Sequence, residues 1–463
     1  MSEKHYDVLI IGAGPGGIFA AYELSKLDPT LSIGVIEAGS ELHKRACPIS
    51  KGLVSQCINC PSCSIMNGFG GAGAFSDGKY NITNEFGGTL YQYTGKQEAI
   101  ELMEYVDTIN CEMGGAQTKL YSGSDYRLFK KCLENHLHLL KAEVRHLGTD
   151  VNYTVLENLY AELKEKVDFY FHTRADQVLE EDGQWKVLTG KGTFSSDQLI
   201  ISTGRSGSHW MEAVCKSLNI PSRSSRIDIG VRVEVPFETF SELTDSLYES
   251  KIVYRSSKYQ DRIRTFCMNP HGVVVSENTN GIITVNGHSY SDPSRFTENT
   301  NFALLVSSHF TEPFHESNAY GESIARLSNM LGGGVIVQRF GDLIRGQRST
   351  ADRIASGFVR PTLDATPGDL SLVIPKRQLD DIIEMIYALD KVAPSTASDD
   401  TLLYGVEVKF YNMEVEVDYH LETIREGLYV IGDCSGVTHS LSHASASGVY
   451  AARNLLEKRN HAK

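Results

Sequence analysis

The stretch Val8-Leu9-Ile10-Ile11-Gly12-Ala13-Gly14-Pro15-Gly16-Gly17 decides the fold of this chain. It runs from an apolar strand through a glycine-rich turn into a helical pattern, and the next apolar run closes at Glu37, 20 residues beyond Gly17. In such a turn Gly12 permits the tight bend, Gly14 lets the backbone approach a pyrophosphate, and Gly17 lets helix and sheet pack closely. The pattern predicts a βαβ unit that binds a dinucleotide.

The residues around this turn favour a dinucleotide without a 2′-phosphate. Pro15 fits the first turn of a helix, and Gly16 follows it. The helix start directs N–H groups and its positive dipole end at phosphates. The carboxylate of Glu37 can accept hydrogen bonds from ribose hydroxyls and would repel a 2′-phosphate. The expected ligand is NAD or FAD.

A second site near the end of the chain favours FAD. Residues 427–433 (GLYVIGD) form a short apolar strand that ends at Gly432-Asp433, and a helix of small residues follows at 444–452. FAD needs such a site because its ribityl chain and flavin ring extend far beyond the pyrophosphate. The strand at 198–202 stops at Thr203-Gly204, so three distant strand ends are expected to converge on one non-covalent FAD.

With these motifs the chain resembles the two-dinucleotide-binding-domain flavoproteins of the glutathione reductase type. Residues 67–79 (NGFGGAGAFSDGK), 230–234 (GVRVE), 286–289 (NGHS) and 405–411 (GVEVKFY) carry a closer resemblance to uncharacterised bacterial FAD-dependent dehydrogenases with the FAD-dependent protein C-terminal domain. Motifs and resemblance together predict cofactor contacts at Gly12, Gly14, Pro15, Gly16, Gly17, Glu37, Gly71, Ala72, Ala175, Thr203, Gly204, Gly432, Asp433, His443 and Ala444.

The predicted fold is α/β: a discontinuous Rossmann-like FAD/NAD(P)-binding domain with an inserted β-rich α+β substrate domain. The predicted boundaries are 1–227 and 346–463 for the FAD-binding domain and 228–345 for the insertion. Helices are expected at about 97–142, at 152–166 and at 379–392 because apolar residues recur with helical spacing. Alternation after the strand 167–171 predicts a small antiparallel meander.

Composition sets limits on function. The chain has 463 residues, of which 41% are hydrophobic, enough for two or three domain cores. No apolar run reaches the roughly 18 residues of a membrane span. A net charge of −14 argues against nucleic-acid or anionic-membrane partners. Because residues 1–5 lead directly into the first strand, no signal peptide is expected, and the expected location is cytoplasmic.

Four cysteines, Cys47, Cys57, Cys60 and Cys63, allow three interpretations. Consecutive Cys-x-x-Cys steps suit an iron–sulfur cluster or zinc, with Cys47 as fourth ligand. A Cys-x-x-Cys pair near the flavin can instead exchange electrons with it as a disulfide. The third interpretation is a set of reduced cysteines that only pack. No metal is assigned.

Candidate catalytic residues are few. Lys79, held by Asp77, can stabilise an anionic flavin or bind phosphate, although an ordinary Asp-Gly turn with a solvated lysine explains the same residues. His443, with His439 near it, is a candidate proton donor because histidine titrates near neutral pH. His288 and Arg232 are candidate substrate contacts of the insertion, and for all of these a structural role is the plainer alternative.

The expected function is an FAD-dependent oxidoreductase, a dehydrogenase or reductase, that moves hydride or electrons to or from a small-molecule substrate. No second Gly-x-Gly-x-x-Gly follows a strand, so NAD(P)H is expected only as a transient donor. The alternatives are a flavin hydroxylase and a redox-sensing flavoprotein that uses the cysteine cluster. The substrate, the reaction direction, the electron partner and the oligomeric state stay open.

Overall fold

A computed structural model describes residues 3–49, 51–54, 58, 60, 62–123, 125–247, 250–279, 281–290, 293–311, 313–314 and 316–462. The chain forms two compact units. The first unit comprises residues 1–121, 142–225 and 412–463, and the second comprises residues 122–141 and 226–411. Both units are therefore discontinuous in sequence.

The strands, in chain order, are β1 Lys4–Ile11, β2 Ile33–Ile36, β3 Lys79–Ile82, β4 Leu120–Ser122, β5 Leu137–Leu139, β6 Glu143–His146, β7 Asp168–Tyr170, β8 Ala175–Glu181, β9 Gln184–Thr189, β10 Gly192–Ile201 and β11 Ser222–Arg223. They continue as β12 Ile227–Pro236, β13 Ile252–Arg255, β14 Arg262–Asn269, β15 Val273–Thr279, β16 Ile282–His288, β17 Asn299–Ser308, β18 Ile336–Arg339, β19 Thr366–Pro367, β20 Leu402–Lys409, β21 Glu414–Val415 and β22 Leu428–Val430.

The α-helices are α1 Pro15–Leu27, α2 Tyr91–Thr94, α3 Lys96–Glu112, α4 Tyr126–Glu134, α5 Gly148–Leu163, α6 Ser208–Leu218, α7 Phe237–Ser246, α8 Ser317–Gly332, α9 Phe340–Ile344, α10 Ala351–Ser356, α11 Lys376–Asp390 and α12 Leu441–Ala462. In the described part of the chain, none of these helices is long and apolar enough to span a membrane.

The first unit is built on a seven-stranded sheet in the order β7-β2-β1-β10-β9-β8, with β22 also paired to β10. The strands β7, β2, β1, β10 and β22 run parallel, while β8, β9 and β10 form the antiparallel meander. Parallel strands are buried on both faces, which is why β1 ends in a continuous apolar run. This arrangement confirms the predicted α/β, Rossmann-like fold.

The second unit contains an eight-stranded sheet in the order β19-β18-β20-β12-β17-β14-β13-β5. One face of this sheet is apolar and packs with α8 and α11 in the core of the unit. The hairpin β15–β16 contacts the central strands β12, β14, β17 and β20. The predicted β-rich character of the insertion is confirmed.

The predicted boundary at 345 differs from this division, because residues 346–411 lie in the second unit. Strand β20 pairs with both β12 and β18, so the segment completes the second sheet instead of returning to the first. A continuous helical region at 97–142 is also wrong. Among the described residues of this range, α3 and α4 are the α-helices, with a short 3₁₀ turn at Gly115–Gln117, and β5 is drawn into the sheet by pairing with β13.

Other predicted elements lie close to those observed. The helix expected at 152–166 is α5, the helix expected at 379–392 is α11, and the strand expected at 167–171 contains β7. The strand expected at 198–202 is the end of β10, which also forms part of the meander and so bridges it and the parallel sheet.

Candidate functional site

The turn between β1 and α1 needs glycine at Gly12 and Gly17 for reasons within the chain itself. Gly12 has φ +103°, and a Cβ there would lie 2.3 Å from the Ser202 carbonyl oxygen. A Cβ on Gly17 would lie 2.0 Å from the Gly12 carbonyl oxygen. Both glycines therefore let the turn close and let α1 pack against the sheet.

Gly14 differs from Gly12 and Gly17 because no steric contact with the described residues requires glycine at this position. Its backbone is extended, with φ −79° and ψ −178°, and it caps the start of α1. Among the described residues, no atom lies within 4 Å of a Cβ built on Gly14. Packing within this part of the chain therefore does not exclude a β-carbon at this position. The open space lies at a helix N-terminus, where backbone N–H groups favour a phosphate.

Glu37 organises the backbone around this turn. The side chain is buried, and its carboxylate accepts hydrogen bonds from the N–H groups of Ala13 (2.9 Å), Gly39 (2.7 Å) and Gly68 (2.8 Å). Two of these bonds go to Oε1 and one to Oε2. A carboxylate has about four lone-pair positions, so Oε2 retains capacity for a ribose hydroxyl. The prediction of ribose binding stays untested, and the anchoring role was not anticipated.

A second glycine-rich loop packs directly on the first. The Gly70 N–H donates to the Ala13 carbonyl at 2.8 Å. A Cβ on Gly71 would lie 3.2 Å from the Gly14 Cα, and Gly71 has φ +54°. The predicted contacts Gly71 and Ala72 begin a short 3₁₀ turn here, and both retain solvent-accessible surface. The loop therefore lines the open space beside Gly14.

Arg45 holds the chain leading into this loop, a role that was not predicted. The side chain is buried and donates to three carbonyl oxygens, those of Ser64 (2.9 Å), Ile65 (2.8 Å) and Phe69 (2.7 Å). Burial lowers the pKa of the guanidinium to about 10. A lone arginine in a loop has no pattern from which this role can be predicted.

The ends of β10 and β22 meet the first turn, as predicted. A Cβ on Gly16 would lie 2.7 Å from the Ser202 Oγ and 3.5 Å from the Gly432 Cα. Gly204, with φ +65°, has open space at its Cβ position, and Thr203 is half-buried beside it. The convergence of three strand ends is thus a feature of the fold, because β1, β10 and β22 are adjacent and parallel.

Asp433 lies just beyond β22 and directly follows Gly432, which has φ +66°. Its side chain is 18% exposed and forms an ion pair with Arg205, Nε to Oδ2 3.3 Å. The Thr438 hydroxyl donates to Oδ1 at 3.2 Å. Burial raises the pKa of the Asp433 carboxyl above its ordinary value, and Arg205 partly opposes this. Asp433 keeps acceptor capacity for a polyol hydroxyl.

The start of α12 lies against the same turn, but His443 is not open to it. Ala444 is close, since its carbonyl oxygen would be 3.2 Å from a Cβ on Gly16. His443 is fully buried; its Nδ1 lies 2.9 Å from the Ser440 Oγ, and the ring packs under Gly87. Because the ring has no exposed surface, it cannot exchange protons with a substrate in this arrangement. The structure therefore does not support His443 as a proton donor or a cofactor contact.

The remaining predicted residues of the first unit are placed as follows. Lys79 forms an ion pair with Asp77, Nζ to Oδ2 2.9 Å, and its side chain is 17% exposed. The contact between Asp77 and Lys79 that was expected from the sequence is therefore present. Ala175 begins β8, and its side chain is buried in the core with Val178 and Trp185. Only the backbone of Ala175 remains for a cofactor contact. Pro15 occupies the first position of α1 as expected.

The prediction that Arg232 contacts the substrate is wrong. The side chain has no exposed surface and forms an ion pair with buried Glu407, Nε to Oε2 2.8 Å. It also donates to the Cys267 carbonyl at 2.8 Å and the Asn286 Oδ1 at 2.8 Å. Arg232 is a structural residue that ties the β15–β16 hairpin to the sheet. His288 is exposed, with its ring edge-on to Tyr290 at 4.9 Å.

The cysteine cluster is only partly described. Cys57 lies outside the described residues, while Cys47, Cys60 and Cys63 are each half-buried. Among the residues that the structure describes, no group of three or more His, Cys, Asp or Glu side chains is arranged to hold a metal ion. The three interpretations of the cluster, including Cys57, stay predictions.

These residues fit FAD as a group. The space at Gly14 accommodates a pyrophosphate at the α1 N-terminus, Glu37 lies where a ribose is expected, and Asp433 offers a charged acceptor at the end of β22. All three positions lie in the first unit. NAD has no ribityl chain, so it would leave the remaining acceptor capacity of Asp433 unused.

Comparison with known proteins gives one family match and several distant structural likenesses. Residues 227–410 match the family described as "FAD-dependent protein, C-terminal domain-like". No curated protein matches the sequence. This match confirms the C-terminal-domain part of the predicted resemblance, and it covers almost the same residues as the main segment of the second unit.

Among solved structures, the chain is similar to glycine oxidase from Geobacillus kaustophilus, with 12% identity, coverage of 98% of this chain and 95% of that chain, and a TM-score of 0.40. L-Proline dehydrogenase from P. horikoshii gives 12% identity, coverage of 99% and 95%, and a TM-score of 0.40. CtdE in complex with FAD and substrate 4 gives 10% identity, coverage of 98% and 80%, and a TM-score of 0.39.

Proposed function

We propose that this protein is an FAD-dependent oxidoreductase, a dehydrogenase or reductase that moves hydride or electrons between non-covalently bound FAD and a small-molecule substrate. The observation that carries the proposal is Gly14. Its backbone is open to any residue and its Cβ position is empty, yet it is the glycine that a bound pyrophosphate would require. The family match at 227–410 supports the same cofactor.

In this proposal each residue of the first unit has a defined role. The N-terminus of α1 holds the pyrophosphate, Glu37 accepts from the adenosine ribose through Oε2, and Asp433 accepts from the ribityl chain. When bound, FAD supplies reversible two-electron chemistry. Lys79, fixed by Asp77, is the candidate cation near the cofactor. NAD(P)H would be a transient donor, because the first unit holds a single glycine-rich dinucleotide turn of this type in its described residues.

Asp433→Ala is expected to weaken FAD binding about tenfold to a hundredfold, because a charged hydrogen bond contributes roughly 1.5–3 kcal/mol. ADP affinity should not change, since the ADP half is held at the first turn. Calorimetry with FAD and with ADP measures both. Equal losses for ADP and FAD would show that Asp433 does not hold the ribityl chain.

The raised pKa of Asp433 gives this experiment a pH signature. FAD affinity of the wild type should fall as the pH drops through that pKa, because the carboxylate becomes protonated. Asp433→Asn should remove the pH dependence. Since the folded-state pKa lies above the unfolded one, the carboxylate costs stability at neutral pH, so the Asn variant without FAD should melt no lower than wild type.

Anaerobic reduction of the FAD-loaded protein with NADH and NADPH, followed by reoxidation with oxygen and organic acceptors, tests the class of reaction. A dehydrogenase or reductase should be reduced and should pass its electrons to an organic acceptor. Rapid reoxidation by oxygen only when an aromatic ligand is present would indicate a hydroxylase instead. Turnover that is lost when the cysteines are blocked would indicate redox sensing. Lys79→Met should slow reduction while leaving FAD content unchanged.

A further inference from the structure

Arg205 lies in a short turn that starts where β10 ends. It follows Gly204, whose φ of +65° turns the chain out of the strand and into the 3₁₀ turn Arg205–Gly207. The Ser206 hydroxyl donates to the Asn67 Oδ1 at 3.0 Å. The turn that carries Arg205 is therefore tied to the second glycine-rich loop, and all of these residues lie in the first unit.

The Arg205 side chain contacts Asp433 through a single nitrogen. Its Nε donates to the Asp433 Oδ2 at 3.3 Å, and neither Nη forms a hydrogen bond within the described residues. The side chain of Arg205 is 63% exposed, whereas that of Asp433 is 18% exposed. An ion pair with one partner so open to solvent contributes little to the stability of a fold. The main effect of Arg205 is therefore expected on the charge of Asp433.

The other close neighbours of the Asp433 carboxylate are neutral. The Thr438 hydroxyl donates to Oδ1, and the Asn412 side chain donates to the Asp433 carbonyl at 2.6 Å. The Cys434 thiol is neutral at ordinary pH, because burial raises its pKa to about 11. These contacts orient Asp433 without supplying a positive charge. Burial raises the pKa of the Asp433 carboxyl, and the charge of Arg205 opposes this shift.

Titratable side chains on the elements packed around Asp433 have partners of their own. Glu414 on β21 pairs with Arg223, Oε1 to Nη2 3.7 Å. His443, near the start of α12, has its Nδ1 2.9 Å from the Ser440 Oγ, and His439 precedes that helix. The first turn of α1 contains no acidic residue. Any pH dependence from the two histidines must be separated from that of Asp433 by experiment.

We propose that Arg205 is a positioning residue for the cofactor, which keeps Asp433 charged and oriented to accept hydrogen bonds from the ribityl chain of FAD. The inference rests on the proposed function, because it takes Asp433 as the ribityl contact. A carboxylate accepts through both oxygens and forms stronger hydrogen bonds with hydroxyl groups than a protonated carboxyl does. Arg205 acts through Asp433 and not by touching FAD.

Calorimetric titration of the cofactor-free full chain with FAD, from about pH 5 to about pH 9, tests this proposal. In Arg205→Met, the pH at which FAD affinity falls should move to a higher value, since burial of Asp433 is then unopposed. Between the two midpoints the variant should bind FAD more weakly, by at most the about tenfold to hundredfold loss expected for Asp433→Ala. Above both midpoints it should bind nearly as well as wild type.

Variants that restore or bypass the charge separate this role from a structural one. Arg205→Lys should move the pH profile back toward that of wild type, because a cation returns. Combined with Asp433→Asn, Arg205→Met should change FAD affinity by less than about twofold at every pH, since the group through which it acts no longer ionises. A pH dependence that comes from the histidines would persist in that background. Arg223→Met is the matched control, because Arg223 is 71% exposed and pairs with Glu414.

The possible failures can be told apart. If Arg205→Met does not fold by circular dichroism, Arg205→Gln also lacks the charge and should give the same shift. An unchanged pH profile, an equal loss of FAD affinity at all pH values, or a loss that persists with Asp433→Asn would overturn the role of Arg205. Loss of ADP affinity as well would show that Arg205 binds phosphate instead. A wild type that binds no FAD would overturn the proposed function before any variant is measured.

Discussion

Gly14→Val is expected to give a folded protein that contains almost no FAD. A Cβ added at Gly14 meets no atom of the described residues within 4 Å, and the backbone there is in a region that valine adopts readily. The same side chain would fill the space that a pyrophosphate needs at the start of α1. Visible absorbance per chain measures FAD content, and circular dichroism and thermal melting measure the fold.

Two further variants make this result specific. Gly14→Ala should lose part of the affinity, because a methyl group occupies less of the same space. Gly17→Ala should fail in the opposite way, by lowering the melting temperature, since its Cβ would lie 2.0 Å from the Gly12 carbonyl oxygen. Full FAD content in Gly14→Val would contradict the assignment of the turn.

Arg232→Ala is expected to destabilise the protein by about 3–5 kcal/mol, the cost of leaving a buried charge without its partner. Arg232 and Glu407 both have no exposed surface, so the variant would strand the Glu407 carboxylate with Lys409 alone. Urea unfolding followed by fluorescence measures the loss. Replacing both Arg232 and Glu407 by methionine should recover much of it, because the uncompensated charge is then absent.

The matched control for this prediction is Arg255→Ala. Arg255 lies exposed on β13, and its side chain donates to the Gln260 carbonyl at 3.3 Å, so its loss should change stability by less than about 0.5 kcal/mol. An Arg232→Ala protein as stable as wild type would show that the buried ion pair contributes little to the fold.

Structural features that depend on a local sequence pattern could be predicted from the sequence. Gly12 and Gly17 satisfy steric needs set by residues within one turn and the strands beside it, so their spacing carries the information. The strand end at Gly432-Asp433 could likewise be predicted from its local sequence pattern. Parallel strands bury both faces, and the resulting apolar runs are visible in a single sequence.

Features that depend on distant pairing could not be predicted. Residues 346–411 belong to the second unit because β20 inserts between β12 and β18, and no local signal records that choice of partners. The prediction that Arg232 contacts the substrate was wrong for a related reason. The alternation Gly-Val-Arg-Val-Glu on β12 indicates a polar face, but only the packing of the β15–β16 hairpin on β12 and β17 shows that this end of the face is buried.

Glu37 and Arg45 show the same limit at the candidate site. The position of Glu37 predicted an acid beside a ribose, whereas three of its acceptor positions bind backbone N–H groups from separate segments. Arg45 binds three carbonyl oxygens of a loop that approaches it only in the folded chain. Such anchors are set by backbone geometry, which residue type and spacing do not encode.

Titration of the cofactor-free chain with FAD in a calorimeter, with ADP and NAD as comparison ligands, tests whether the first unit is an FAD site. We expect one FAD per chain, competition by ADP, weaker binding of NAD, and loss of FAD binding in Gly14→Val. Binding of NAD as tight as that of FAD, or no FAD binding by a folded wild-type chain, would contradict it.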